Sequence, residues 1–190
     1  MEKFKLIKTP LKGLVIIKTK TFKDQRGFFV ENYNLRDFAK IGIENNFVQD
    51  NYSVSKKGVL RGLHFQTKHS QGKLVRVMSG KVFDVAVDLR FKSLTFGKWY
   101  GVELSSDNGL QFYTPPGFAH GFLTLRENTF FFYKCTDFYY PENELGIIWN
   151  DKDIGIQWPL SQVEEIIISD KDKKLPTFRE VKKIINKRTL

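Results

Sequence analysis

Short β-strands separated by turn residues dominate this chain, and they constrain its fold more than any other feature. Each predicted strand is rich in Val, Phe, Tyr and Leu, and residues that favour turns stand between the strands. The predicted strands are Val15–Lys18, Phe28–Tyr33, Phe47–Val54, Val59–Phe65, Leu74–Met78, Val82–Leu89, Lys98–Leu104, Gln111–Tyr113, Gly121–Leu125 and Phe130–Thr136. About ten short strands at regular spacing indicate an all-β antiparallel sandwich or barrel.

The stretch from Lys81 to Leu89 alternates as a strand requires, because successive side chains of a strand point to opposite faces. One face carries Phe83, Val85, Val87 and Leu89, and the other carries Val82, Asp84, Ala86 and Asp88. The same periodicity places Tyr133 on one face with Phe131 and Cys135.

Only two helices are predicted. Asn34 can cap a helix over Leu35–Ile41 that Gly42 ends, and a second helix is predicted near Phe178–Lys187. No linker, repeat or low-complexity segment divides the chain, so we expect one domain over residues 1–190.

The composition excludes several classes of protein. With 41% apolar residues and a mean hydropathy of −0.35, the chain is neither disordered nor membranous. Its single cysteine, Cys135, rules out an intrachain disulfide and a cysteine-rich zinc site. The N-terminus lacks the uninterrupted apolar region of a signal peptide, so we expect a cytoplasmic protein with no membrane partner.

The net charge is +10, from 31 Lys and Arg against 21 Asp and Glu, which raises the question of a nucleic-acid partner. The basic residues are scattered, and the densest basic stretch, near the C-terminus, also carries acidic residues. No arginine-rich arm or zinc-finger spacing is present. The charge therefore favours an anionic ligand such as a nucleotide or diphosphate, and we expect no nucleic-acid partner.

His64 lies in the run Leu60-Arg61-Gly62-Leu63-His64-Phe65-Gln66. Strict alternation places His64 on one face with Gly62 and places Arg61 on the other face. A glycine two residues from the histidine leaves open space that a ligand could occupy. A buried core histidine is equally compatible with this pattern.

The other two histidines lie in different settings. The rigid turn Pro115-Pro116-Gly117 is predicted to deliver His120 at the start of a strand, where functional groups are common. His69 lies in a polar loop and is predicted to be solvated. His64 and His120 are too few for a tight metal site of the two-histidine-plus-carboxylate kind.

The chain is therefore predicted to carry out metal-free acid–base chemistry if it is an enzyme. Such chemistry needs a base, an acid on the opposite face and a group that stabilises negative charge. His64 can be the base, a tyrosine such as Tyr133 the acid, and Lys73 or Arg61 the cation. Composition and pattern alone do not assign these roles.

Motifs spread over residues 13–176 resemble, in order, those of dTDP-4-dehydrorhamnose 3,5-epimerases. They begin with Asp24-Gln25-Arg26-Gly27-Phe28-Phe29 and Leu60-Arg61-Gly62-Leu63-His64-Phe65-Gln66. Further on come Gln71-Gly72-Lys73-Leu74-Val75-Arg76, Pro116-Gly117-Phe118-Ala119-His120-Gly121-Phe122, Tyr133-Lys134-Cys135-Thr136 and Ser169-Asp170-Lys171-Asp172.

This resemblance implies a cupin-type jelly roll (a double-stranded β-helix), a homodimer and no metal or other cofactor. It implies inversion of C3 and C5 of dTDP-4-dehydro-6-deoxy-D-glucose in dTDP-L-rhamnose biosynthesis. His64 would be the base, Asp172 rather than Asp170 would orient it, Tyr133 would be the acid, and Lys73 would stabilise the enolate.

The resemblance also implies a set of residues that contact the dTDP-sugar. These are Arg26, Glu31, Gln49, Asn51, Arg61, His120, Tyr139, Glu144 and Lys171. Tyr139 would stack on the thymine, and Arg26 and Glu31 would act from the partner subunit.

One position departs from the family pattern, because Phe138 stands where relatives commonly have the first of two tyrosines. A mono-epimerase of a related dTDP-ketosugar is therefore an alternative. A non-catalytic cupin that binds nucleotide sugars and a basic nucleic-acid binder are further alternatives.

Overall fold

The computed structural model describes residues 2–188, over which thirteen strands and two α-helices form. The strands are β1 (Phe4–Lys8), β2 (Val15–Thr19), β3 (Phe22–Asp24), β4 (Gly27–Phe29), β5 (Gln49–Ser55), β6 (Leu60–Gln66), β7 (Lys73–Ser79), β8 (Lys81–Asp88), β9 (Trp99–Ser105), β10 (Leu110–Thr114), β11 (Phe118–Thr124), β12 (Thr129–Cys135) and β13 (Glu144–Gly146). The helices are α1 (Leu35–Lys40) and α2 (Phe178–Arg188). No helix in this part of the chain has the length and apolar character needed to cross a membrane.

Two antiparallel sheets form the body of the molecule. The first has the strand order β1-β2-β10-β7-β12-β5, and the second has the order β13-β6-β11-β8-β9. Strands distant in the chain become neighbours, as when β6 pairs with β11 and β5 pairs with β12. This arrangement is a jelly roll, and the predicted all-β, cupin-type fold is confirmed.

Buried side chains from both sheets pack together between the sheets. Val75 and Phe131 of the first sheet lie in one cluster with Ala86 and Phe122 of the second. The rings of Phe122 and Phe131 stack with their centroids 4.1 Å apart. Each buried side chain of this size contributes about 1.5–3 kcal/mol, so this cluster fixes the separation of the sheets.

The predicted alternation of β8 is confirmed, and both of its faces are buried. Ala86 faces the cluster between the sheets, whereas Val85 and Val87 belong to a second cluster on the outer face. Trp158 and Val181 from the C-terminal part of the chain cover that outer face. The second sheet is therefore enclosed on both sides, which gives a rigid support for side chains that face the interior.

Both predicted helices are confirmed, with ends that differ by one residue. The Asn34 side chain accepts hydrogen bonds from the N–H groups of Arg36 and Asp37 at the start of α1. Gly42 follows α1 with a φ of +85°, the left-handed conformation that glycine tolerates best.

The predicted strand Phe28–Tyr33 is wrong beyond its first two residues. Phe28 and Phe29 end β4, which pairs only with β3 in a separate hairpin, and the chain from 30 to 34 forms no strand. Phe28 and Phe29 are exposed on this hairpin, whereas Tyr33 lies beyond it and packs against Phe38 and Phe47. Three observed strands, β1, β3 and β13, were not predicted, because lysines interrupt β1 and the other two have only three residues each.

Candidate active site

A β-bulge in β6 decides which of its side chains face the interior. His64 pairs with His120 of β11, and Arg61 pairs with Phe122. Arg61 and His64 are three residues apart in β6, whereas their partners are only two residues apart in β11, so β6 contains one extra residue. The extra residue brings Arg61 and His64 to the same side, where both line one cavity. The prediction that they face opposite sides is therefore wrong, because strict alternation fails at a bulge.

Gly62 lies within the bulge and has a φ of +111°. A Cβ atom there would lie 2.6 Å from Cα of Gly121 and 2.7 Å from the carbonyl oxygen of His120. The open space that we expected beside His64 is thus filled by the backbone of β11. Only glycine fits this close approach of the two strands.

His64 and Asp172 form a close pair, with 2.8 Å between Nε2 and Oδ1. Asp172 is 4% exposed, and its other oxygen accepts a 3.1 Å hydrogen bond from the N–H of Gly62. Burial pushes the pKa of Asp172 up, but hydrogen bonds with His64, Gly62 and Ser169 outweigh it, and the pKa is lowered overall. Asp172 is therefore a carboxylate that can orient the imidazole of His64.

Asp170 lies two residues before Asp172 and has a different environment. Its side chain is 88% exposed, and it forms an ion pair of 3.1 Å with Lys173. Of the two aspartates in this motif, the structure brings only Asp172 to His64.

His64 opens onto a cleft that comprises two connected cavities of about 320 and 680 Å³. Both cavities are lined by Asn51, His64, Lys73 and Tyr133, so these four residues lie where the cavities join. Volumes of this order are typical of small-molecule sites.

Lys73 and Tyr133 reach the cleft from the neighbouring strands β7 and β12. Nζ of Lys73 lies 5.8 Å from the centre of the Tyr133 ring. Burial lowers the pKa of Lys73, although electrostatic interactions with Cys135, Asp84 and Glu144 partly oppose this effect. Within residues 2–188 the ammonium group has no hydrogen-bond or ion-pair partner, so it can interact with an anion in the cleft.

Tyr133 is kept neutral by its surroundings. Burial raises the pKa of Tyr133 to about 12, so the phenol holds its proton across the physiological range. A neutral phenol beside a cavity can donate a proton or a hydrogen bond to a bound molecule.

A second histidine–carboxylate pair lies on the adjacent strands. His120 Nε2 lies 2.8 Å from Oδ1 of Asp84, which is fully buried. Burial raises the pKa of Asp84 despite the opposing effects of His120 and Lys73, and its Oδ2 has no hydrogen-bond partner among the described residues. His120 is not at the start of a strand as predicted, because β11 begins at Phe118 and includes it as its third residue.

Sequence reasoning did not assign a role to Asp84, although a signal was available. The alternation of β8 places Asp84 on the same face as Val82 and Ala86, which are core residues. A carboxylate on an interior face needs a partner, which here is His120.

The far end of the smaller cavity carries polar side chains. The N–H of Tyr139 donates to Oε1 of Gln49 at 2.9 Å, and Nε2 of Gln49 donates to Oδ1 of Asn51 at 3.2 Å. The hydroxyl of Tyr139 donates to Glu144, which also forms an ion pair with Lys171. These contacts link five predicted site residues: Gln49, Asn51, Tyr139 and Glu144 line the smaller cavity, and Lys171 lines the larger one.

Three predicted ligand contacts have other partners. Arg26 is 89% exposed at the tip of the β3–β4 hairpin and forms an ion pair with Asp24. Glu31 forms an ion pair of 2.6 Å with Lys3, and neither Arg26 nor Glu31 lines the cleft. Arg61 lines the cleft, with its guanidinium 3.3 Å from the hydroxyl of Ser55.

Phe138, the departure from the family pattern, lies outside both cavities. Its side chain is 54% exposed, and its carbonyl oxygen accepts a hydrogen bond from Gln66. The neighbouring Tyr139 lines the cleft instead.

The described part of the chain contains no group of three or more His, Cys, Asp or Glu side chains that could hold a metal ion. Each histidine of the cleft has one carboxylate partner, His64 with Asp172 and His120 with Asp84. These pairs have the arrangement of oriented acid–base groups.

Comparison with known proteins shows the family to which the chain belongs. The family model for dTDP-4-dehydrorhamnose 3,5-epimerase matches residues 8–180. The dTDP-4-dehydrorhamnose 3,5-epimerase of Methanothermobacter thermautotrophicus is 53% identical over 180 residues, which cover 95% of this chain and 97% of that protein. The enzyme of the same name from Salmonella typhimurium is 54% identical over 167 residues, with 87% and 91% coverage.

A solved structure is similarly close. The dTDP-6-deoxy-D-glucose-3,5-epimerase of Legionella pneumophila, in complex with dTDP-4-keto-L-rhamnose, is 46% identical. The TM-score is 0.91, and the alignment covers 96% of each chain.

The fold and the cleft together define a cupin-like isomerase equipped with acid–base groups. The family match extends over most of the chain and includes every residue of the cleft described above. The chain belongs to the dTDP-4-dehydrorhamnose 3,5-epimerase family.

Proposed function

We propose that the protein inverts C3 and C5 of dTDP-4-dehydro-6-deoxy-D-glucose, a step in the formation of dTDP-L-rhamnose. The observation that carries this proposal is the 2.8 Å contact between His64 and Asp172 in a cleft shared with Lys73 and Tyr133. The family membership supplies the substrate.

His64 is the proposed base for both carbons. The C4 ketone acidifies the C–H bonds on both neighbouring carbons, so one base can serve C3 and C5 in turn. The carboxylate of Asp172 accepts a hydrogen bond from the Nε2–H of His64, which leaves the second ring nitrogen free to take a proton from the substrate. Asp172 also stabilises the imidazolium that results.

Tyr133 and Lys73 complete the proposed chemistry. Tyr133, with a pKa of about 12, delivers a proton to the carbon from the face opposite His64, and this inverts the configuration. Lys73, which has no partner in the described part of the cleft, stabilises the negative charge on the enolate oxygen. A group of this kind typically contributes about 10²–10³ in rate.

The proposed nucleotide site lies at the polar end of the cleft. Tyr139 offers a ring for stacking on the thymine, and Gln49 and Asn51 supply amide groups beside it. Arg61 and Lys171 supply positive charge for the diphosphate, since both line the larger cavity. His120 and Glu144 are the remaining proposed contacts of the sugar and nucleotide.

The active form that we propose is a homodimer. The β3–β4 hairpin exposes Phe22, Phe28 and Phe29, with Phe29 68% exposed, and exposed apolar groups of this kind are typical of interfaces. Arg26 is at the tip of the same hairpin, away from the cleft of its own chain. In the dimer, Arg26 and Glu31 contact the ligand of the partner subunit.

The proposed site of action is the cytoplasm. The lone cysteine, Cys135, is buried and free, which suits a reducing compartment. A dTDP-sugar substrate is also expected there.

The proposal is tested by incubating the protein with the ketosugar in deuterated water and following both carbons by NMR. Deuterium at C3 and C5, with a product of inverted configuration, is the expected result. Label at one carbon only would indicate a mono-epimerase. Binding of dTDP without any label would indicate a nucleotide-sugar-binding protein, and either outcome contradicts the proposal.

A further inference from the structure

Residues Asp137–Tyr140, here called the mouth loop, connect β12 to the polar end of the cleft. They form no helix or strand. The loop nevertheless holds Tyr139 against the smaller cavity, where its hydroxyl donates to Glu144 at 2.9 Å. Something other than regular secondary structure must therefore fix the loop.

Three glutamine side chains form hydrogen bonds with the backbone of the mouth loop. Nε2 of Gln71 donates to the carbonyl oxygen of Asp137 at 2.8 Å. Nε2 of Gln66 donates to the carbonyl oxygen of Phe138 at 3.1 Å. The N–H of Tyr139 donates to Gln49 at 2.9 Å, so three consecutive loop residues are bound by glutamines.

Gln66 makes the most bonds of the three. Besides its bond to Phe138, it accepts a 2.6 Å hydrogen bond from the N–H of Tyr140 and donates one of 2.6 Å to the carbonyl oxygen of His69. The side chain is only 6% exposed, so its amide is largely withdrawn from water. Among uncharged side chains of this length, only a primary amide can donate two hydrogen bonds and accept a third in this geometry.

The loop that precedes β7 adds a second support. His69 is an exposed loop residue as predicted, and its ring also stacks on Tyr140 with ring centroids 4.4 Å apart. Its Nδ1 lies 3.5 Å from the carboxylate of Asp137. Gln66 bonds to both loops, and so it joins them into one unit.

We propose that Gln66 and Gln71 are positioning residues that hold the mouth loop so that Tyr139 stands ready for the nucleotide. This inference rests on the proposed function, which gives the nucleotide that end of the cleft. Gln66 and Gln71 do not take part in proton transfer. Their effect falls on nucleotide affinity, because they act on the loop and not on His64 or Tyr133.

The test uses the full chain with Gln66→Met and Gln71→Met, which keep length and remove the amide. Gln66→Met loses three hydrogen bonds and Gln71→Met loses one. We expect the Kd for dTDP and the KM for the ketosugar to rise about tenfold or more, while kcat changes less than about threefold. Gln157→Met is the matched control, since the exposed Gln157 also donates to a backbone carbonyl, that of Gly155, outside the cleft. The control is expected to retain the Kd of the parent protein.

Gln66→Glu separates positioning from simple packing. A carboxylate accepts from Tyr140 but cannot donate to Phe138, whereas the protonated acid donates one hydrogen bond and still accepts. The Kd ratio of Gln66→Glu to the parent protein should therefore fall as the pH is lowered, while the ratio for Gln66→Met stays constant.

Unchanged Kd values in Gln66→Met and Gln71→Met would overturn the positioning role. If Gln66→Met fails to fold, Gln71→Met alone decides, because Gln71 makes a single bond to the loop. A weakened Kd in the variants, combined with a parent protein that shows no epimerisation, would contradict the proposed function and leave the positioning role standing.

Discussion

His64, Lys73 and Tyr133 face one cleft, but their surroundings give them three different chemical properties. His64 is held by the buried carboxylate of Asp172, whose pKa is lowered mainly by hydrogen bonds that outweigh its burial. Burial lowers the pKa of Lys73, which has no carboxylate partner among the described residues, and burial raises the pKa of Tyr133 to about 12, so Tyr133 keeps its proton. The proposed roles of His64 and Tyr133 thus follow from the environment of each side chain, whereas the role of Lys73 follows from its position in the cleft.

Tyr133→Phe should separate proton abstraction from inversion. The variant keeps His64, so exchange of substrate protons with deuterated water should continue. Product formation should fall about 10²–10⁴-fold, because the acid that reprotonates the opposite face is missing. NMR on one sample measures both quantities, and complete loss of exchange together with inversion would contradict the assignment.

Lys73→Met should lower kcat by about 10²–10³-fold, because the enolate oxygen loses its cation. Lys81→Met is the control, since Lys81 forms an ion pair with Glu103 and lines neither cavity. Steady-state kinetics of the two variants provide the comparison. A kcat for Lys73→Met within a few-fold of the control value would show that Lys73 does not stabilise the enolate.

At the scale of elements, the bulge in β6 is the feature on which the site depends. It brings Arg61 and His64 to the same side, and its Gly62 N–H binds Asp172. Leu60 and Leu63, on the two sides of Gly62, belong to the cluster on the outer face of the second sheet, so packing on that face holds the bulge. A change in this short segment affects both the base and its carboxylate.

Gly62→Ala should destabilise the protein by more than about 3 kcal/mol, because strain at positive φ adds to a clash with the β11 backbone. Gly42→Ala is the matched control: its φ is also positive, but a Cβ there meets nothing within 4 Å, so we expect only about 1–2 kcal/mol. Urea unfolding measures both free energies. If the two variants lose the same free energy of unfolding, the close approach of β6 and β11 does not contribute to the effect of Gly62→Ala.

The elements that could be predicted from the sequence are those with an uninterrupted local pattern. The alternation of Lys81–Leu89 and the capped helix after Asn34 agree with the structure because each depends on near neighbours in the chain. The bulge at Gly62 depends on contact with β11, which no local pattern reports. The prediction of a strand at Phe28–Tyr33 was wrong for a related reason, since Phe28 and Phe29 are exposed on a separate hairpin that ends at Phe29.

Only part of the candidate site could be predicted from residue types. His64, Tyr133 and Lys73 could be proposed from their residue types, but family resemblance was needed to choose Asp172, which is 108 residues from His64 in the chain. The partnership of Asp84 with His120 and the hydrogen bonds of Gln66 to the mouth loop depend on strand pairing and loop packing. Those contacts became visible only in the folded structure.

At the scale of the whole molecule, the jelly roll provides a cleft, and the β3–β4 hairpin extends apart from it. This hairpin pairs with neither large sheet and carries Arg26 and three exposed phenylalanines. The proposed homodimer would cover these apolar side chains and complete each cleft with the arginine of the other subunit. The basic charge that first suggested a nucleic-acid partner includes Arg26, Lys73 and Lys171, whose proposed roles concern one nucleotide sugar.

Mixing two inactive variants tests this sharing of sites. Arg26→Ala retains His64, and His64→Asn retains Arg26, so a mixed dimer contains one complete cleft if Arg26 acts across the interface. Random exchange of subunits should restore about a quarter of the parent activity, given two-fold symmetry. Activity that stays at the level of the separate variants, despite demonstrated subunit exchange, would contradict the shared site.

The central claim is that one base, His64 held by Asp172, serves both carbons, and site-resolved exchange in His64→Asn tests it most directly. NMR in deuterated water follows the loss of the C3 and C5 protons separately, with thermal unfolding used to establish that the variant is folded. We predict that exchange falls by at least about 100-fold at both carbons. Exchange that persists at the parent rate at either carbon would require a second base and would contradict the account.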